Sequence, residues 1–144
     1  SRLKRLRKAA YIAGCLGQSM AQTNSREVIV VFKRDSRFGP MVIFVLGGIH
    51  VEAFRDISCR LAPLSLDDAH DMVREIRAFP VLAGLRGQKA VKFTAIEDLL
   101  LIMSQLAQDF PDIQEAECNP VLVNEDGALV ADIRVLLTPA SHRA

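Results

Sequence analysis

Apolar positions fall into short runs separated by turn residues, and the period changes along the chain. Val28-Ile29-Val30-Val31-Phe32, inside Glu27 to Arg34, is a β-branched and aromatic run that predicts a strand. Tyr11 to Met20 predicts an earlier strand, weakened by Gly14 and Gly17. Met41 to Leu46 predicts another, ending at Gly47-Gly48, where the backbone turns tightly or lets something approach closely. In Asp56 to Leu61, Ile57, Cys59 and Leu61 alternate with Asp56, Ser58 and Arg60, a period of two that predicts a strand with one wet face. The segment from Ile49 to Arg55 has no clear period.

The period then becomes helical. Ser65 is an N-cap with Asp67 and Asp68 in the first turn, and Ala69, Met72, Val73 and Ile76 share one face of a helix over 66–78 that Pro80 stops. Residues 81–92 read as a Gly-rich, basic loop. The box Thr94-Ala95-Ile96-Glu97 predicts the start of a second helix that runs to Phe110 before Pro111. A closing hairpin is expected over 114–123 and 128–137, turning at Asn124-Glu125-Asp126-Gly127. The order β-β-β-β-α-α-β-β predicts an α+β fold, a mostly antiparallel sheet with two main helices packed on it. Residues 1–8 read as a basic tail or helix and 138–144 as a second tail.

Half of the 144 residues are hydrophobic, enough for one domain with a core. With 18 basic and 17 acidic residues the net charge is +1, which argues against an electrostatic nucleic-acid binder. The cluster Arg2, Lys4, Arg5, Arg7 and Lys8 reads as a solvated face or frayed end. No apolar run reaches the ~18 residues needed to span a bilayer, so no membrane partner is expected. Cys15, Cys59 and Cys118 are odd in number and widely spaced, with no CxxC, which fits free thiols and a cytoplasmic setting. A chain that opens on Ser reads as an excised fragment of a larger multidomain protein.

Candidate chemistry concentrates in the closing hairpin. Glu117, Asn119 and Asp132 offer hard oxygen ligands, and Arg134 offers a fork of donors. Glu117 and Asn119 are two residues apart, as are Asp132 and Arg134, so each pair shares a sheet face. With a turn near Asp126-Gly127, Asn119 and Asp132 lie on adjacent strands. The same four groups would also suit the solvent-facing side of an edge hairpin. Gly47-Gly48 could let a phosphate approach the backbone, although neither GxGxxG nor a P-loop is present. Lys33 and Arg34 end a strand beside that region and must point to opposite faces, so at most one enters a shared site. Of His50, His70 and His142, only His50, beside the glycines, merits notice, and a structural role suits it better.

Glu27-Val28-Ile29-Val30, Lys33-Arg34-Asp35, Phe38-Gly39-Pro40, Leu46-Gly47-Gly48-Ile49 with Glu52, Arg60 to Leu64, and Glu117-Cys118-Asn119-Pro120 together resemble one family. It is the ATP-grasp domain of NDP-forming acyl-CoA synthetases. That group includes ADP-forming acetyl-CoA synthetase and the succinyl-CoA synthetase β subunit, and a similar region occurs in bacterial protein lysine acetyltransferases. The resemblance covers residues 9–137 and implies the C-terminal subdomain of an ATP-grasp unit, with ATP/ADP and Mg2+ as cofactors and CoA bound by domains outside this chain. It implies Asn119 and Asp132 as magnesium ligands, catalytic roles for Glu117 and Arg134, and nucleotide-side positions for Arg34, Gly47, Gly48 and Glu52. Val31 and Val45 depart from the pattern, because the family commonly has glycine at both places. The lysine of the N-terminal subdomain and the phosphorylated histidine of another domain have no counterpart here. The expected partners are therefore the remaining domains or subunit of a parent synthetase, and the chain alone is not expected to complete the reaction. A silent regulatory module of a protein acetyltransferase is the alternative. The truncated sheet edge suggests a possible homodimer.

Overall fold

The computed structural model describes residues 24–48 and 56–138. Expectations for 1–8, 11–20, 49–55 (with His50 and Glu52) and 139–144 lie outside the described residues. The elements are β1 (Arg26–Asp35), β2 (Gly39–Leu46), β3 (Ile57–Leu61), α1 (Leu66–Glu75), α2 (Phe79–Ala83), α3 (Phe93–Asp109), β4 (Ile113–Val123), β5 (Ala128–Val130) and β6 (Ile133–Leu137). The strands form one antiparallel sheet in the order β3-β2-β1-β4, with β5 and β6 both pairing the outer side of β4.

The helices cover one face of the sheet. Alternation on the central strands sends Val28, Val30 and Phe32 of β1, Val42 and Phe44 of β2, and Ala116 and Cys118 of β4 into that layer. They meet Ala69, Met72 and Val73 of α1 and Ile96, Leu100 and Met103 of α3, as the helical period predicts. The opposite face carries Ile29, Val31, Met41, Ile43 and Val45, each half-buried.

Four local expectations are corrected. The first helix ends at Glu75 rather than 78, because Ile76 is extended (ψ 141°) and the Asp56 carboxylate accepts the N–H groups of Arg77 and Ala78 at 2.7 Å. Pro80 then sits in the first turn of the short helix α2, where its missing N–H costs nothing, so 79–83 is not loop. No side chain caps α3: Glu97 instead accepts from Arg74 at 2.7 Å, tying α3 to α1.

The fourth correction concerns β3, whose two faces are the reverse of the expected ones. Ser58 is fully buried beneath α1, whereas Ile57, Cys59 and Leu61 are exposed on the face away from the described helices. The reason is the partner that α1 brings to this edge. Glu75 accepts from the Ser58 hydroxyl and takes both guanidinium nitrogens of Arg60, at 2.8 and 2.6 Å. A polar residue therefore turns inward, and the apolar ones join Met41, Ile43 and Val45 across the ladder.

Candidate functional site

The closing hairpin is built as its spacing suggested. Asn124 holds the turn, its side-chain carbonyl accepting the N–H groups of Asp126 and Gly127. The register places Glu117 opposite Arg134. The Asn119 N–H donates to the Asp132 carbonyl at 3.1 Å, and the Ala131 N–H donates to the Pro120 carbonyl at 3.0 Å. The outer strand breaks at Ala131-Asp132, between β5 and β6, at the level of Asn119-Pro120.

The same point is irregular on the β1 side. Val28 pairs Val121 but Val30 pairs Cys118, so Asn119 and Pro120 together face Ile29 as a bulge. The buried phase of β4 shifts with it, from Ala116 and Cys118 to Val121 and Val123. Proline suits this position because it has no N–H to offer the ladder. The result leaves Asn119 exposed on the face away from the described helices, beside Asp132.

Glu117, Asn119, Asp132 and Arg134 line a shallow pocket of about 190 Å³. Asn119 Nδ2 donates to Glu117 Oε1 at 3.0 Å, and Arg134 Nη2 donates to Glu117 Oε2 at 2.8 Å. Asp132 Oδ1 accepts the Ile133 N–H at 2.9 Å. The Asn119 amide and the Arg134 guanidinium hold the Glu117 carboxyl below the usual carboxylate range, and Glu117 in turn raises Arg134. With its nitrogen committed to Glu117, Asn119 has its side-chain carbonyl oxygen left as an acceptor.

Two further residues belong to this surface. Glu115 accepts from Arg134 Nη2 at 2.6 Å and pairs with Lys33 at 3.5 Å. Glu115 was missed in the sequence, although a period of two from Asn119 and Glu117 points to it. Val31 lies across the ladder from Glu117, and Val45 pairs Ile29, so both departures from the family pattern sit on the site's face.

Other predicted residues are placed elsewhere. Arg34 turns to the helix side, where its guanidinium donates to the carbonyls of Ala107 and Phe110 at the C-terminus of α3 and of Ile113 at the start of β4. Gly47 has a packing reason, since a Cβ there would meet the Glu27 backbone at 3.1 Å. Gly48 has φ +106°, which favours glycine. Neither glycine lines the pocket. A larger cavity of about 410 Å³ lies between the loop after α2 and the 124–127 turn, away from the quartet, and the Lys89–Glu125 pair (2.8 Å) crosses it. Among the described residues no three His, Cys, Asp or Glu side chains form a metal-binding group, and no helix is long and apolar enough to cross a membrane.

The model of the ATP-grasp domain family matches residues 1–137. The acetate–CoA ligase [ADP-forming] I of Archaeoglobus fulgidus is 47% identical over 128 residues, covering 89% of this chain and 18% of that protein. The beta subunit of acetate–CoA ligase [ADP-forming] I of Pyrococcus furiosus is 47% identical over 112 residues, covering 78% of this chain and 48% of the subunit. Among solved structures, the dinucleotide-forming acetyl-coenzyme A synthetase 1 of Ca. Korarchaeum cryptofilum, in complex with coenzyme A and Mg-AMPPCP, superposes with a TM-score of 0.78 at 40% identity. That match covers 81% of this chain and 55% of the other, whose phosphohistidine segment points towards its nucleotide-binding site. The chain thus spans about half, or less, of the length of these relatives.

Proposed function

Because the chain belongs to the ATP-grasp domain family, we propose that it is the C-terminal nucleotide-binding part of an ADP-forming acyl-CoA synthetase. The parent reaction couples cleavage of an acyl-CoA thioester to phosphorylation of ADP: acyl-CoA, ADP and phosphate become the free acid, CoA and ATP. The observation that carries this reading is the opposition of Asn119 and Asp132 across a bulged hairpin, with the Glu117–Arg134 pair beside them.

The donor set fits magnesium. Two hard oxygens, one amide and one carboxylate, leave the remaining positions of an octahedron for phosphate oxygens and water. Asn119 and Asp132 would hold the ion, which supplies neutralisation of phosphate charge. Arg134 presents a guanidinium beside that position and stabilises negative charge as it shifts between oxygens. Glu117 fixes the orientation of both Asn119 and Arg134. The exposed apolar side chains of β3 and the half-buried ones of β2 on the same face suit a nucleotide packed between this sheet and a second layer supplied by the rest of the parent.

The parent's remaining domains or subunit would bind CoA and carry the phosphorylated histidine. Cytoplasmic residence agrees with the free thiols of Cys59 and Cys118. Among the described residues the outer edge of β6 has no partner strand, which admits a homodimer of the isolated chain. These relatives lend no support to the alternative, a silent module of a protein acetyltransferase. The test is ADP release by the intact parent with CoA, Mg2+, ATP and a panel of carboxylic acids, beside an Asp132→Asn control. Acid-dependent release that vanishes in the control is expected. Equal turnover in the control would remove the metal site from this hairpin.

A further inference from the structure

Five polar side chains cross the face away from the described helices in a connected row. Lys33 on β1 pairs with Glu115 on β4. Glu115 Oε1 accepts from Arg134 Nη2 at 2.6 Å, the same nitrogen that donates to Glu117 Oε2 at 2.8 Å. Glu117 Oε1 then accepts from Asn119 Nδ2 at 3.0 Å. Charge alternates along the row and ends on an amide whose oxygen is left over.

We infer that Glu115 is a positioning residue, which through Arg134 and Glu117 fixes the side-chain amide of Asn119 with its oxygen toward Asp132. Arg134 springs from an exposed edge strand and is itself well exposed, so one carboxylate would leave its fork free to swing. The second carboxylate, Glu115, is only 16% exposed and stands between Lys33 and Arg134. It anchors the guanidinium across two residues of β4. The anchored fork takes Glu117 Oε2, so Glu117 presents its other oxygen to Asn119. An amide that donates its nitrogen there must turn its carbonyl oxygen away. Outer partners of metal ligands commonly act in this manner, setting which atom is offered.

The inference deepens the metal-site reading above and rests on it for its consequence, but the orientation of Asn119 is testable without any metal. In the 144-residue chain, the Asn119 side-chain NH2 resonances are assigned by their loss in Asn119→Asp. Glu115→Gln keeps the shape and removes the charge. It is expected to shift or broaden the Asn119 NH2 signals while leaving the melting temperature close to that of the parent. Mn2+, added alone and read by paramagnetic relaxation, is expected to bind about tenfold more weakly to the variant. Arg134→Lys keeps the charge but lacks the fork, and is expected to release the Asn119 signals in the same way. Unchanged Asn119 signals in both variants overturn the inference, even with weaker Mn2+ binding, since that loss would then be one of charge alone. Failure of the parent chain to bind Mn2+ would count against the functional reading and leave the resonance test to decide the role of Glu115.

Discussion

Replacing Arg34 by methionine separates a structural arginine from a nucleotide-binding one. The substitution keeps a long stem to lie along Phe32, over whose ring the guanidinium now sits at 5.5 Å. It removes the guanidinium donors to the carbonyls of Ala107, Phe110 and Ile113, of which the Phe110 carbonyl keeps the Ile113 N–H at 3.1 Å. Hydrogen bonds from a charged group contribute about 1.5–3 kcal/mol each. Phe110 is exposed, so its carbonyl regains water in the variant, and the full sum does not apply. A cation at a helix C-terminus adds about 0.5–1 kcal/mol. At the low end of these ranges the net loss is about 3.5 kcal/mol, which for a domain of this size lowers the melting temperature by about 10 °C or more. Thermal unfolding followed by far-ultraviolet circular dichroism measures it, and calorimetric titration of Mg-ATP into folded protein measures binding. The expected result is a large drop in melting temperature with unchanged nucleotide affinity. A variant that melts like the parent but no longer binds nucleotide would refute the reasoning and restore Arg34 to the site.

The carboxyls of Glu75 and Glu117 both sit below their ordinary value of 4.5, the first held chiefly by Arg60 and then Ser58, the second by the Asn119 amide and then Arg134. Their stabilisation is therefore complete above that value and is lost as pH falls through their depressed folded values, so urea midpoints should decline as pH falls below 4.5, and less steeply in Glu75→Gln. Gly84→Ala should cost more than about 2 kcal/mol by urea unfolding, because φ is +98° and the new Cβ would lie 2.2 Å from the Gln88 carbonyl oxygen. Val31→Gly combined with Val45→Gly should lower stability by about 1–2 kcal/mol while tightening Mg-ATP binding in calorimetry; equal or weaker binding by the folded variant would show that these side chains do not crowd the nucleotide.

The parts of the fold that follow one period were legible in the sequence. Ala69, Met72, Val73 and Ile76 repeat every three or four residues and are all buried, and Glu115 and Glu117 of β4 meet Arg134 of β6 as alternation requires. What alternation alone could not show was which side the helices take. On β3 the apolar set looked like the core side, but the partner of Ser58 lies 17 residues away, at Glu75. The same blindness applies to Arg34, whose acceptors are 73 to 79 residues distant. The bulge was readable in principle, because the buried phase of β4 shifts across Asn119-Pro120. Glu115 obeyed the same alternation that singled out Glu117 and Asn119.

The inverted strand β3 bears on how the chain avoids pairing errors. A strand on the rim of a sheet has one neighbour, and sliding it by a single residue exchanges its faces. In β3 that slip would bring Ile57 or Cys59 under α1 in place of Ser58, set apolar atoms against the Glu75 carboxylate, and carry Arg60 to the far side of the sheet. A partly exposed ion pair contributes little to stability by itself. Here the pair, with the Ser58 hydroxyl, penalises the one-residue slip of β3 against β2 and so acts as a proofreading device for the rim of the sheet.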